Sequence, residues 1–95
     1  MQPRCYRAPM PPRDPQTHLH HAFVRNGRLT ALPRREPILA AACAFLAHRF
    51  ERGRDYPERE VNALLAEDAP DPATLRRLLA DRGLLRRSAG VYRRP

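Results

Sequence analysis

Proline and glycine punctuation limits this chain to short helices. Prolines 15, 57 and 72 stand where helices can begin, two of them directly after Asp14 and Asp71, and glycines 27, 53 and 83 stand where helices stop. An aspartate at such a boundary accepts hydrogen bonds from the open amides of the first turn. Proline in that turn lacks an amide that would otherwise be left over, and glycine takes up the left-handed backbone that ends a helix. Six of the 11 prolines lie within the first 35 residues, five of them by Pro15. A stretch of that composition does not pack, so residues 1–13 are predicted to be a flexible arm and residues 14–95 the folded domain.

Within 14–95 the punctuation and the spacing of apolar residues predict an ordered series of elements. A short helix spans Gln16 to Phe23 with Leu19, Ala22 and Phe23 on one side, and the Asn26-Gly27 turn stops it. Arg28 to Leu32 follows as a short strand or extended link. Arg35 to Phe50 forms the clearest helix, since Ile38, Leu39, Ala42, Phe45, Leu46 and Phe50 recur at helical spacing. Its opposite face carries Ala40, Ala44 and Ala47, a smooth surface suited to an approaching helix, either that of residues 16–23 or one from a second protomer. Another helix starts at Asp55-Tyr56-Pro57-Glu58 and carries Val61, Leu64 and Leu65. The next runs from Ala73 to Arg82 with Leu75, Leu78 and Leu79 inward. A hairpin closes the series, Leu84 to Arg87 joined to Val91 to Arg94 through a three-residue connection, Ser88-Ala89-Gly90.

The predicted fold class is therefore mostly α with a small β-hairpin, a winged-helix or helix-turn-helix-like single domain with an extra N-terminal helix. In that arrangement the last helix enters the major groove of DNA and the hairpin flanks it.

Charge follows the same division. The chain has 18 basic residues, all arginine, against 10 acids, a net charge of +8. A G+C-rich coding bias accounts for arginine in place of lysine and for the abundance of alanine and leucine, so placement has to carry the functional argument. Residues 1–35 hold seven arginines and one acid, residues 36–75 four and eight, and residues 76–95 seven and one. Positive charge thus gathers in the arm and in the last helix and hairpin, from which such a fold would touch nucleic acid. With Leu75, Leu78 and Leu79 buried, Arg76, Arg77 and Ala80 fall on the outer face, and Thr74 is expected to join the two arginines in contacting DNA. The arginine fork matches guanine edges and phosphate oxygens. Arg86, Arg87, Arg93 and Arg94 on the hairpin are placed to hold phosphates. The expected partner is double-stranded DNA, bound as a dimer. Against this stands a plainer account in which Arg76 and Arg77 pair with Glu67, Asp68 or Asp71 and only fix a loop. For DNA to approach, Glu58, Glu60, Glu67 and Asp68 must point away from it.

Other chemistries find little support. His18, His20 and His21 with Cys5, Cys43 or His48 match no zinc spacing, although His18 and His21 share a helix face. Ser88 is the only serine and has no histidine and aspartate arranged around it, and a glycine-rich phosphate loop is lacking. No catalysis, metal, cofactor or small-molecule substrate is expected. The longest apolar run, Ile38 to Ala47, has 10 residues, about half of the ~20 needed to span a bilayer. The first residues lack the apolar segment of a signal peptide, so a cytoplasmic location with reduced cysteines is expected.

Several blocks together resemble a known family: Asn26 to Pro33, Leu46 to Glu51, Tyr56-Pro57-Glu58-Arg59-Glu60-Val61-Asn62, Asp71 to Arg77, and Gly83-Leu84-Leu85 through Tyr92-Arg93. The family is the uncharacterised bacterial one numbered 2087 among the domains of unknown function, and the resemblance covers Phe23 to Arg94. It departs from the family pattern at Pro57, where threonine is usual, and after Tyr92, where no tryptophan follows. The resemblance implies a winged-helix-like domain found alone or fused to helix-turn-helix transcriptional regulators. It also keeps an alternative in view: a non-enzymatic interaction or dimerisation module, docking through Ala40, Ala44 and Ala47 and working with a separate DNA-binding partner.

Overall fold

The computed structural model describes residues 14–95, and the predicted arm, with Cys5, lies outside them. Helix α1, Pro15–Phe23, begins as expected: Asp14 accepts from the Thr17 amide at 2.9 Å, and Pro15 opens the helix. The chain then turns straight into a hairpin, β1 Val24–Arg25 and β2 Arg28–Leu29, with Val24 opposite Leu29. Asn26 and Gly27 both have positive φ, 53° and 74°. That is the two-residue turn whose twist suits antiparallel strands. The Asn-Gly pair therefore joins two strands as well as ending a helix.

Helix α2 is Ile38–Ala47, shorter at both ends than the apolar periodicity suggests. Leu46, Ala42 and Cys43 are fully buried on it, and burial pushes the Cys43 thiol up from its ordinary value. After α2 comes a correction. Asp55–Pro57, predicted as a helix start, is a strand, β3, and α3 spans only Glu58–Leu64. Tyr56 precedes a proline, which disfavours helical backbone at Tyr56, and extended geometry turns its ring into the core, edge-on to Phe50 at 5.0 Å. Helix α4, Pro72–Asp81, has Asp71 as its cap, and Gly83 at φ +75° follows the end.

The last hairpin is β4 Arg86–Ser88 and β5 Val91–Arg93. Its connection is two residues, Ala89 and Gly90 at φ 51° and 78°, not three, because Ser88 already pairs with Val91. Strand β3 joins the other side of β5, giving an antiparallel sheet in the order β3-β5-β4. The described residues form a small compact α/β domain of four helices, this sheet and the separate β1–β2 hairpin. One core unites them, with Leu19 from α1, Leu29 from β2, Leu46 and Phe50 around α2, Val61 and Leu65 around α3, Leu75 and Leu79 from α4, Leu85, and the sheet tyrosines Tyr56 and Tyr92. No helix among the described residues is long and apolar enough to cross a membrane.

Candidate nucleic-acid interface

Rotation of about 100° per residue divides α4 into four sides. Leu75 and Leu79, both fully buried, point to the core. Arg76 lies on the side turned to the sheet, Leu78 and Arg82 on the other flank, and Thr74, Arg77 and Asp81 form the exposed stripe between them. The predicted pair Arg76 and Arg77 is thereby split.

Arg76 is held inside the fold, with 11% of its side chain exposed. Its Nε donates to the Tyr92 hydroxyl at 3.1 Å, another nitrogen donates to Asn62 Oδ1, and a third sits 3.8 Å from Glu58. It thus ties α4 to α3 and β5, through Glu58 and not through the loop acids Glu67, Asp68 or Asp71. Arg77 is exposed and forms no ion pair among the described residues. Thr74 is part of the helix cap: its amide and hydroxyl both donate to Asp71, at 2.8 and 3.0 Å. These bonds, the amide's first, hold the Asp71 carboxyl below its ordinary pKa.

Strand register sorts the hairpin arginines in the same way. Arg87 stands opposite Tyr92 and Tyr56, and so shares the sheet face turned to α4, since Arg76 of α4 reaches the Tyr92 hydroxyl. Arg86 stands opposite Arg93 and Asp55 on the outer face. There Arg93 donates to Asp55 at 2.8 Å, which raises the Arg93 pKa further, and both groups stay more than half exposed. Arg94 is half-buried and donates to the Phe50 carbonyl at 3.1 Å. Of the seven residues proposed to touch DNA, Arg77, Arg86 and Arg87 remain exposed arginines with no ion pair among the described residues; Arg76, Arg93, Arg94 and Thr74 already have partners within the domain.

The acids that would repel DNA are mostly engaged. Glu58 is beside Arg76, Glu60 is 3.1 Å from Arg54, and Asp68, 3% exposed, is buried against Arg49. Glu67 is exposed. The alanine surface is not a single open face: Ala47 is in the core, Ala44 is half-buried and only Ala40 is exposed. Helix α1 covers part of α2, with Gln16 donating to the Ala41 carbonyl at 3.2 Å and His20 edge-on to Phe45 at 5.2 Å. Among the described residues no three metal-ligating side chains come together.

Two pairings that the sequence alone did not indicate complete the surroundings of α4. Asp68 accepts from the Leu29 amide at 2.8 Å and from both terminal nitrogens of Arg49, fastening the β2 strand and the end of α2 to the loop that leads into α4. Arg82, at the other end of α4, pairs with Glu36, which holds that carboxyl below its ordinary pKa. Both pairings join residues far apart in sequence, so spacing gives no sign of them.

Residues 28–94 of the chain match a family model described as an uncharacterized protein conserved in bacteria, DUF2087. The match covers more than half of the chain, and the chain belongs to that family. No curated protein and no solved structure matches it.

Proposed function

We propose that the domain binds double-stranded DNA as a bacterial transcription regulator of winged-helix type, with α4 in the major groove and the β4–β5 hairpin beside it. The observation that carries this is the set of exposed arginines without ion pairs on these two elements: Arg77 on the outer stripe of α4, and Arg86 and Arg87 on the hairpin. The order helix, strand, helix, helix, strand, strand from α2 to β5, with sheet order β3-β5-β4, is consistent with a winged helix and supports this reading, β3 adding a third strand to the hairpin. Fold alone is compatible with many functions, so the charges bear the weight.

The stripe has the chemistry to read base edges. Arg77 can donate two bonds to guanine O6 and N7, and Asp81, one turn on, can accept from cytosine N4. Arg87, on the sheet face turned to α4, is placed for a phosphate beside the same groove. Arg76 supports the reading helix from behind.

Selection of bound duplexes from a random pool, followed by titration of the enriched sequence, tests this. Arg77→Ala is expected to relax preference at one base pair by about 1 to 3 kcal/mol with little change in melting temperature. Arg87→Ala is expected to weaken all sequences alike and to reduce the salt slope by roughly 0.9. Arg76→Ala is expected to lower the melting temperature instead. Failure of the unaltered chain to retain any duplex at low salt refutes the proposal.

A further inference from the structure

The segment between β2 and α2, expected as the end of a short strand or extended link followed by the first turn of a helix, is fastened beside α4 at both ends. At its start, the Leu29 amide donates to Asp68 at 2.8 Å and the Leu29 carbonyl accepts from the Ala69 amide at 2.9 Å, just before α4 begins. At its end, Glu36 pairs with Arg82, just after α4 stops, and also accepts from the Ala40 amide at 3.0 Å. Helix α4 has 10 residues, a length of about 15 Å. The chain from Leu29 to Glu36 can reach roughly 23 to 25 Å, enough to run the full length of the helix. Between the anchors, Leu32, Pro33 and Arg34 share one apolar groove with Ala69, Pro70 and Leu78, the last on the α4 flank away from the sheet.

Two consequences follow for charge. Arg34 and Arg35 are exposed and form no ion pair among the described residues. Arg34 lines the groove with Leu78, on the α4 flank opposite the one turned to the sheet that carries Arg87, and Arg35 follows it on the way to the Glu36–Arg82 anchor. Given the DNA-binding function proposed above, on which this rests, we infer that Arg34 and Arg35 form a second phosphate-binding site, gripping the DNA backbone on the side of α4 away from the hairpin. The stripe that enters the groove is then flanked by cations on both sides, with one set supplied by a segment outside the helix-turn-helix elements. The pairing of Glu36 with Arg82 positions that site: it holds the end of the segment against α4 and occupies a carboxylate that would otherwise compete for the two arginines.

The full chain is titrated onto a mixed-sequence duplex over a range of salt concentrations, by fluorescence anisotropy, beside Arg34→Ala/Arg35→Ala and the control Arg52→Ala. Arg52 reaches the Pro95 carbonyl at 3.1 Å and bridges to Arg94, outside the segment that carries Arg34 and Arg35. Each phosphate contact contributes roughly 0.9 to the slope of log K against log salt, so the double variant is expected to lose about 1.8 from it. Arg52→Ala is expected to leave the slope unchanged, and both variants to keep the melting temperature. If the double variant melts early, Arg34→Gln and Arg35→Gln are titrated singly, each with an expected loss of about 0.9. Duplex binding with an unaltered slope in the arginine variants overturns the inference and leaves DNA binding by α4 standing. An equal loss in Arg52→Ala also overturns it, since any surface charge would then serve. Absence of duplex binding by the unaltered chain overturns both.

Discussion

Among the described residues Asp68 is the one buried carboxylate, 3% exposed, and it joins separate segments of the fold. Its carboxylate is buried, takes the Leu29 amide on one oxygen, and receives both terminal nitrogens of Arg49, with Arg28 3.7 Å away. A buried charge is tolerated when its oxygens are satisfied, and here the donors come from the first hairpin and from just past the end of α2. Replacing Asp68 by alanine leaves the Arg49 guanidinium and the Leu29 amide without their acceptor. A loss of about 3 kcal/mol is expected, measured as a lower urea midpoint, and Asp68→Asn is expected to lose less because Oδ1 still accepts from Leu29. Arg76 teaches a related lesson at the same scale. Its neighbour Arg77 has the same side chain, and one residue of rotation separates a guanidinium packed among Tyr92, Asn62 and Glu58 from one that faces solvent.

The two hairpins differ at their turns in a way that predicts a stabilising change. Both turns require positive φ at two successive residues; the first uses Asn26-Gly27, the second Ala89-Gly90. Asparagine tolerates that backbone well, whereas alanine there brings its Cβ too close to the following carbonyl, at a cost of about 1 kcal/mol. Ala89→Asn is therefore expected to raise the melting temperature while preserving the Ser88–Val91 register, checked by thermal denaturation followed by circular dichroism. Elements with a local cause were legible in the sequence. The caps at Asp14 and Asp71, the buried stripe of α4 and the closing hairpin depend on side chains acting within a turn or on strict spacing. Strand β3 was not legible, because three residues show no periodicity and its pairing partner is β5, more than thirty residues away. The residue before Pro57 was the one available signal of extended backbone there. In the candidate site, the enrichment of arginine was legible, but which arginines are free was not.

Across the whole molecule, acid is expected to loosen the frame around α4 from both ends. The Arg82 guanidinium holds the Glu36 carboxyl below its ordinary pKa at one end, and the Thr74 amide does the same for Asp71 at the other. In the unfolded chain these groups titrate near 4.3 and 3.9. The unfolded state therefore binds more protons below those values, and the stability contributed by the two groups is complete above them and lost as pH falls through the lower folded values. Melting temperature is expected to hold from neutrality to about pH 5 and to fall below about pH 4. Asp71→Asn, which caps without titrating in this range, is expected to flatten part of that fall.

By itself the sequence determined the capped starts of α1 and α4, the buried stripe of α4, and that positive charge collects at the two ends of the chain around an acidic middle. Those are properties of neighbours a few residues apart. Tertiary structure decided the rest: that β3 completes the sheet, that Asp68 and Glu36 are claimed by distant arginines, and that Arg76 is withdrawn while Arg34, Arg35, Arg77 and Arg87 stay exposed. The physical reason is that an arginine's availability depends on which carboxylate or carbonyl the fold brings within hydrogen-bonding distance, and those partners are set by the packing of the core.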